Sequence, residues 1–356
     1  MEFDVEPKVL TCRHCGAKNR INPGKVLQKM NKVRCGSCSR SVFFPEREPL
    51  VGLPSTAYEH PLDRNALRML KKVPGIQSIL KFIVRELSDR RLKMLHQQAY
   101  LKAGPDHLKP LHAMVIQGCD VLDLDRTPEL YVMQSSEVNA YAVGVDEPFV
   151  VVTTGLLDVL DDRQILGVIA HELGHIKAGH QLYRTASYLL ANLAGRILSR
   201  LIPFRGAAVG AISQALAYWS RCSELTADRA QMLVQRDFES YVKCEMKLAG
   251  GCRYTNHMLD AEAFLRQADE AVAMQNENWF NKIYANMQVA DQSHPFPVWR
   301  AGHMKEWVLN GQFMEIVSGT WEVEEPEPIE EDSSSGKDPK EVRDLLEDLK
   351  RKLDDD

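Results

Sequence analysis

The chain has 356 residues, 44% hydrophobic and 26% charged, which excludes a disordered or fibrous protein and leaves room for one principal domain plus a small accessory one. The formal net charge is −5, yet residues 322–356 alone hold 15 Asp/Glu against 6 Lys/Arg, so the remainder carries +4 (−5 + 9), too mild a balance to point to nucleic acid. The opening MEFDVEPKVLTCRHC has no apolar h-region, so no secretory or transit segment is expected, and the cytoplasm, a thiol-reducing compartment, is the expected location.

Four of the eight cysteines form two tight pairs, Cys12-Arg-His-Cys15 and Cys35-Gly-Ser-Cys38, with nineteen residues between them. In a reducing compartment this spacing presents four thiolates tetrahedrally to one zinc and predicts a zinc ribbon over residues 1–48. Four thiolates leave no open coordination position, so this zinc is structural, and His14 is a bystander in the knuckle. Residues 1–50 hold ten Lys/Arg and five Asp/Glu; zinc on four thiolates subtracts two charges and leaves +3 (+5 − 2), with no interleaved aromatics or basic stripe. Protein or substrate recruitment, or plain stabilisation, is therefore expected of the ribbon rather than nucleic-acid readout. The dispersed Cys119, Cys222, Cys244 and Cys252 are expected to be buried thiols.

From Pro61 the pattern turns helical. Leu67, Leu70, Ile76, Ile79, Leu80 and Ile83 recur at spacings of three and four, interrupted at Pro74-Gly75, which predicts two amphipathic helices with more helix following through His107–Leu122. Leu130–Met133, Ala140–Val143 and Phe149–Thr153 read as short strands of a small antiparallel sheet. Asp161 with Gln164 three residues on then caps a helix over 162–179.

That helix contains VIAHELGHIKAGH. His171 and His175 stand one turn apart, so both imidazoles can reach one cation, while Glu172 sits about 100° around and can meet a metal-bound water. The competing reading is two histidines satisfied in a core, because a catalytic zinc wants a third protein ligand. Leu182–Ser220 is the most apolar region, but its uninterrupted runs are shorter than the roughly 18–20 residues of a spanning helix, and Arg196, Arg200 and Arg205 lie between them. A helical hairpin, buried or lying on a membrane surface, is expected there. The following segment WSRCSELTADRAQML supplies Glu224 and Asp228, again one turn apart. Glu224 can be the third ligand, and Asp228 can hold the far nitrogen of a ligand histidine, His171 first among them. Read alone, the same pair is a solvated face with Arg221 and Arg229 as partners.

NAYAVG (Asn139–Gly144), VVVTTGLLDVL (Val150–Leu160), HELGH (His171–His175), ELTAD (Glu224–Asp228) and HPFPVWR (His294–Arg300) follow one another in a fixed order. From about Pro61 to Leu309 the chain resembles the zinc metallopeptidase family of the HtpX proteases and the CAAX prenyl proteases, metallopeptidase family 48, in its gluzincin form. The resemblance implies an α+β fold: a mainly helical zincin-type domain over 49–320, with a small antiparallel sheet, after the ribbon. It implies zinc on His171, His175 and Glu224, with Glu172 taking the proton of the attacking water and passing it to the leaving amine. It further implies that His294 stabilises the oxyanion with Arg300 in support, and that Asn139, Ala140 and Tyr141 form an edge strand gripping extended substrate. By sequence alone His294 reads equally as a turn residue before Pro295. His180 falls five residues after His175; as a further ligand it would close the open position, so it is assigned to structure. Clear spanning helices, present in membrane members of the family, are missing from this sequence, which weakens any carry-over of membrane residence and prenylated substrates.

Residues 321–356 read as an acidic disordered tail, with Val342, Leu345, Leu346, Leu349 and Leu353 marking a short amphipathic helix. The function expected is a cytoplasmic zinc metalloendopeptidase acting on protein or peptide substrates, with two zinc ions, one catalytic and one structural. The rival is a non-catalytic zinc-ribbon adaptor with a peptide-binding, peptidase-like domain. A third reading keeps the protease and lays the 182–220 hairpin on anionic lipid as a peripheral contact. The oligomeric state is not specified by the sequence.

Overall fold

A computed structural model of the chain describes residues 5–45, 47–86, 89–193, 207–277, 294, 296–321, 340, 343, 344 and 347. Both cysteine pairs sit on tight turns that aim backbone N–H groups at sulfur. Strand β1 (Lys8–Thr11) pairs antiparallel with β2 (Lys18–Ile21), and the turn between them closes with Cys12 N–H donating to Ala17 O at 2.8 Å and a left-handed Gly16. The second pair repeats the device: Cys35 N–H donates to Arg40 O at 2.9 Å, with Ser39 left-handed. Helix α1 (Pro23–Lys29) joins the two turns, with Pro23 at its start.

The ribbon is stapled to the rest of the chain. Phe44 N–H donates to Val317 O at 2.8 Å. Arg236, buried and left-handed, donates to Phe44 O at 2.8 Å, to Pro45 O, and to Glu48 O at 3.1 Å. Leu10, Val26, Val42 and Phe43 of the ribbon share one apolar core with Met246, Trp307 and Phe313.

The helices fall where apolar spacing and breakers place them: α2 (Pro61–Lys71), α3 (Ile76–Glu86), α4 (Asp89–Ala99) and α5 (Lys109–Leu122). The short β3 (Leu101–Lys102) lies beside β4 (Leu130–Met133) in a sheet of order β3-β4-β6-β5, with β5 (Ala140–Val143) at one edge and β6 (Phe149–Thr153) inside. Three of these strands match the sequence reading residue for residue, but the sheet is mixed, since β4 and β6 run parallel. The reason is connectivity. The chain leaves β4, crosses to the far edge for β5, and returns through an antiparallel hairpin into the central place of β6.

Helix α6 (Thr154–Val159) leads to α7 (Asp162–Lys177), whose start carries the expected capping box between Asp161 and Gln164. The helix stops two residues short of the expected end, at a left-handed Gly179. Helices α8 (Gln181–Leu193) and α9 (Ala207–Gln235) follow. The described parts of the apolar hairpin are covered: Ala186, Ile212, Leu216, Trp219 and Cys222 pack against Ala66, Leu70, Ile76, Ile79 and Leu80 of α2 and α3. Residues 194–206 lie outside the described residues, and no helix among the described ones is long and apolar enough to cross a membrane. Helix α9 runs without interruption from the hairpin through Glu224 and Asp228, against α7. Gly174 meets Ala227 and Ala230 there, with no room for a side chain. Helices α10 (Phe238–Gly250), α11 (Ala261–Glu277), α12 (Pro297–Leu309) and α13 (Gln312–Val317) complete the fold.

Of the dispersed cysteines, Cys119, Cys222 and Cys244 are buried as expected, but Cys252 is exposed, in the turn that follows α10. The acidic stretch 322–339 lies outside the described residues; of the expected C-terminal helix, Lys340, Arg343, Asp344 and Glu347 are helical.

Candidate active site

Two groups of ligand-type atoms lie close together among the described residues: the four ribbon thiols, and His171, Glu224 and His294, where the sequence reading had His175 and not His294 as a ligand. The four ribbon thiols lie within 4.8 Å of one another, Cys12 Sγ to Cys38 Sγ at 3.8 Å and Cys15 Sγ to Cys35 Sγ at 3.6 Å. Backbone N–H groups of Cys38 and Ser37 and the amide of Asn19 bring the Cys35 thiol down to about 6, while at Cys15 the Ala17 N–H is outweighed by the neighbouring thiols and burial, which raise it to about 12.

The second cluster forms where α7 crosses α9. One turn of α7 aligns His171 and His175, and Glu224 rises between them from α9: its Oε2 is 3.2 Å from His171 Nε2 and its Oε1 is 3.2 Å from His175 Nε2. All three side chains are buried. His294, just before α12, adds a fourth group, with Nδ1 2.7 Å from Glu224 Oε2 and Nε2 2.7 Å from Ala140 O. The turn-residue reading of His294 is therefore incomplete, because its ring spans from the carboxylate to the edge strand.

Behind the ligands lies a line of buried charge. Asp228 Oδ1 is 3.0 Å from His171 Nδ1, so the carboxylate accepts the Nδ1–H and orients the ring with Nε2 toward Glu224. Arg300 clamps Asp228, its Nε donating to Oδ2 at 2.7 Å and its Nη2 to Oδ1. Arg300 thus pairs with Asp228, with Nη1 3.8 Å from Glu224 Oε2. Beyond it lies Glu245, fully buried, 3.6 Å from Arg300 and raised to about 8 by its burial.

Cationic neighbours hold the buried carboxylate ionised. Burial alone would push the Glu224 carboxyl up, but His294, Arg184 and His171 hold it well below the carboxylate range. Burial would lower His171, yet Asp228 and Glu224 lift it to about 9. His171 Nε2 and both carboxylate oxygens of Glu172 are buried without a hydrogen-bond partner. Two imidazoles, a carboxylate and these orphaned atoms fit a zinc ion with a water beside Glu172.

Several contributors were not singled out in the sequence. Arg184 on α8 places Nη1 2.7 Å from His175 Nε2 and 2.6 Å from Glu224 Oε1, so its guanidinium lies on two of the ligand atoms. Its one signal was a charge in an otherwise apolar helix. Glu245 and Asp63 had none, since their roles arise from distant packing. Residues 139–141 lie at the sheet edge as expected. Ala140 is buried toward His294, Tyr141 joins Tyr131 and Phe149 on the other face, and Asn139 is tied to β6 through Thr153.

The chain matches the model of Peptidase family M48 over residues 105–308. A curated relative, the plastoglobule-localized metallopeptidase 48, chloroplastic, of Arabidopsis thaliana, is 30% identical over 265 residues, which is 73% of this chain and 74% of that protein. A protease HtpX homolog of Dictyoglomus thermophilum is 41% identical over 81 residues, 22% of this chain and 27% of that protein, and one of Bacillus pumilus is 41% identical over 80 residues, again 22% and 27%. The likeness to the HtpX homologs thus spans about a quarter of their length. No solved structure matches the chain. The match across 105–308 takes in the crossing of α7 and α9 and His294, and the chain belongs to peptidase family M48, a family of zinc metallopeptidases.

Proposed function

We propose that the chain is a zinc-dependent endopeptidase that cleaves peptide bonds in extended protein segments, with His171, His175 and Glu224 holding the metal. Zinc bound there supplies a Lewis acid that polarises a carbonyl and lowers the pKa of water toward 7. Glu172 takes the proton from the attacking water and delivers it to the leaving amine. The observation that carries this reading is the state of Glu172: fully buried next to the ligand helix's open side, with neither oxygen hydrogen-bonded, it is a base without a structural occupation. His294 stands 3.5 Å from Glu172 through Nε2 and can turn that donor from Ala140 O to an oxyanion. Strand β5, at the sheet's edge, offers its backbone to an added strand of substrate, with Asn139, Ala140 and Tyr141 as the gripping residues.

The ribbon's zinc is structural in this reading, for two metals per chain, and the ribbon serves recruitment or stability. We place the chain in the cytoplasm; a second reading adds peripheral membrane contact. The Arabidopsis relative's name, which places that protein at plastoglobules, supports surface association of this kind. Recovery of all the protein without detergent in the soluble fraction of lysed cells removes the membrane part.

The test of the enzyme reading is Glu172→Gln. The variant keeps two zinc ions and loses hydrolysis of an unfolded casein substrate by at least about 10²-fold, the lower bound for a lost general base. Undiminished hydrolysis overturns it. Comparing the new N-termini that wild type and variant generate in a cell identifies the substrates.

A further inference from the structure

His175 has no carboxylate directly behind it, in contrast to His171. Its Nδ1 instead lies 2.9 Å from Nδ1 of His180, and His180 Nε2 lies 3.2 Å from Asp63 Oδ2. All three side chains are buried. The arrangement is built from separate parts of the fold. His180 follows the left-handed Gly179 that ends α7, with its N–H donating to His175 O at 3.1 Å, and its ring packs edge-on to Trp219, centroids 5.4 Å apart. Asp63 comes from the first turn of α2, before the stretch matched by the family, and Thr226 Oγ1 donates to its Oδ2 at 2.6 Å from between Glu224 and Asp228 on α9.

With both rings neutral, the donor directions admit one consistent order. Asp63 is an acceptor and takes the Nε2–H of His180, which leaves a lone pair on His180 Nδ1. That lone pair takes the Nδ1–H of His175, so the remaining lone pair of His175 is on Nε2, 3.2 Å from Glu224 Oε1.

We propose that His180 and Asp63 are positioning residues for the catalytic metal, a relay that fixes the tautomer and ring orientation of His175 as Asp228 does for His171. The site thereby has two carboxylates behind two histidines, one acting directly and one through an intervening imidazole. The proposal rests on the reading that His175 is a ligand. An aspartate-to-alanine exchange at 63 removes the acceptor of the His180 Nε2–H, so His180 is free to donate from Nδ1 and His175 to carry its proton on Nε2, where the metal must bind.

The experiment titrates zinc against a chromophoric chelator in the full-length wild type, Asp63→Ala and His180→Leu, with melting of the zinc-stripped proteins as the fold control. Wild type binds one ribbon zinc tightly and a second more weakly. Both variants keep the ribbon zinc and the melting transition and bind the second zinc 10- to 100-fold more weakly, the usual effect of removing a partner that orients a ligand histidine. Wild-type affinity for the second zinc in either folded variant overturns the relay. If neither variant folds, Asp63 and His180 are structural and the relay is likewise overturned. Failure of the underlying site reading looks different, because wild type itself then holds the ribbon zinc alone.

Discussion

The Gly174→Ala exchange tests whether the crossing of α7 and α9 is what assembles the site. A Cβ at 174 would stand 2.5 Å from the Cβ of Ala230 and 3.3 Å from the Cα of Ala227. Carbon atoms rest at about 3.5–4.0 Å, so the helices must part by about 1 Å or the backbone must bend. Overpacking of this kind costs about 1–3 kcal/mol. Glu224 lies one turn before Ala227 on α9, and the two ligand histidines flank Gly174 on α7, so the same parting pulls the carboxylate from imidazoles now 3.2 Å away. If about 1.4 kcal/mol of the strain falls on the ligand set, zinc affinity drops tenfold. The assay pairs urea unfolding of the zinc-stripped protein with chelator competition, and Gly104→Ala, where an added Cβ meets nothing within 4 Å, is the control. Equal midpoints and equal zinc affinities in the two variants refute the claim that close helix contact sets the ligand geometry.

Arg184→Ala removes the guanidinium from His175 Nε2 and Glu224 Oε1. The metal-free chain is then left with a less compensated buried carboxylate, and each 1.4 kcal/mol of ion pairing lost from it appears as about a tenfold gain in zinc affinity, read by the same competition. Unchanged or weaker binding contradicts that account. A pH effect comes from His60 and His303, rings in edge-on contact at 5.2 Å, which burial and then Arg229 depress to about 2 and about 4. Both folded values lie below the unfolded value of about 6.5, so below that pH the unfolded chain takes up protons that the folded chain refuses. Stability therefore falls by up to about 1.4 kcal/mol per pH unit for each histidine, for His303 down to its folded value. Urea midpoints at pH 7.5 and 5.5 should show a loss smaller by about 1 kcal/mol in His303→Phe than in wild type; equal losses count against the burial argument.

Local chemistry was legible in the sequence, and tertiary placement was not. The capping box at Asp161, the strands 130–133, 140–143 and 149–153, and the one-turn spacings of His171/His175 and Glu224/Asp228 are all short-range patterns, and each appears in the structure. The parallel pairing of β4 with β6 could not be read locally, because strand order is decided by which edge the chain crosses to. The partners of His180 and Asp63 escaped for the same reason: these residues are more than a hundred positions apart in the chain, and a lone aspartate in a helix's first turn looks like ordinary capping charge. Arg300 was noticed by its motif, but nothing in HPFPVWR indicates that its guanidinium pairs with Asp228.

The two clusters differ most in how much chain each encloses. The ribbon thiols are complete between residues 12 and 38, whereas the second cluster draws on His171, Glu224 and His294. A chain growing on the ribosome at about 5–20 residues per second therefore exposes a finished thiol site well before the histidine site has all its parts. Short loops also close at lower entropic cost. On the proposal that both clusters bind zinc, scarce metal would fill the ribbon first and leave the histidine site of newly made chains empty. Under the proposed function, metal supply would then set the fraction of chains able to cut, with no change in the number synthesised.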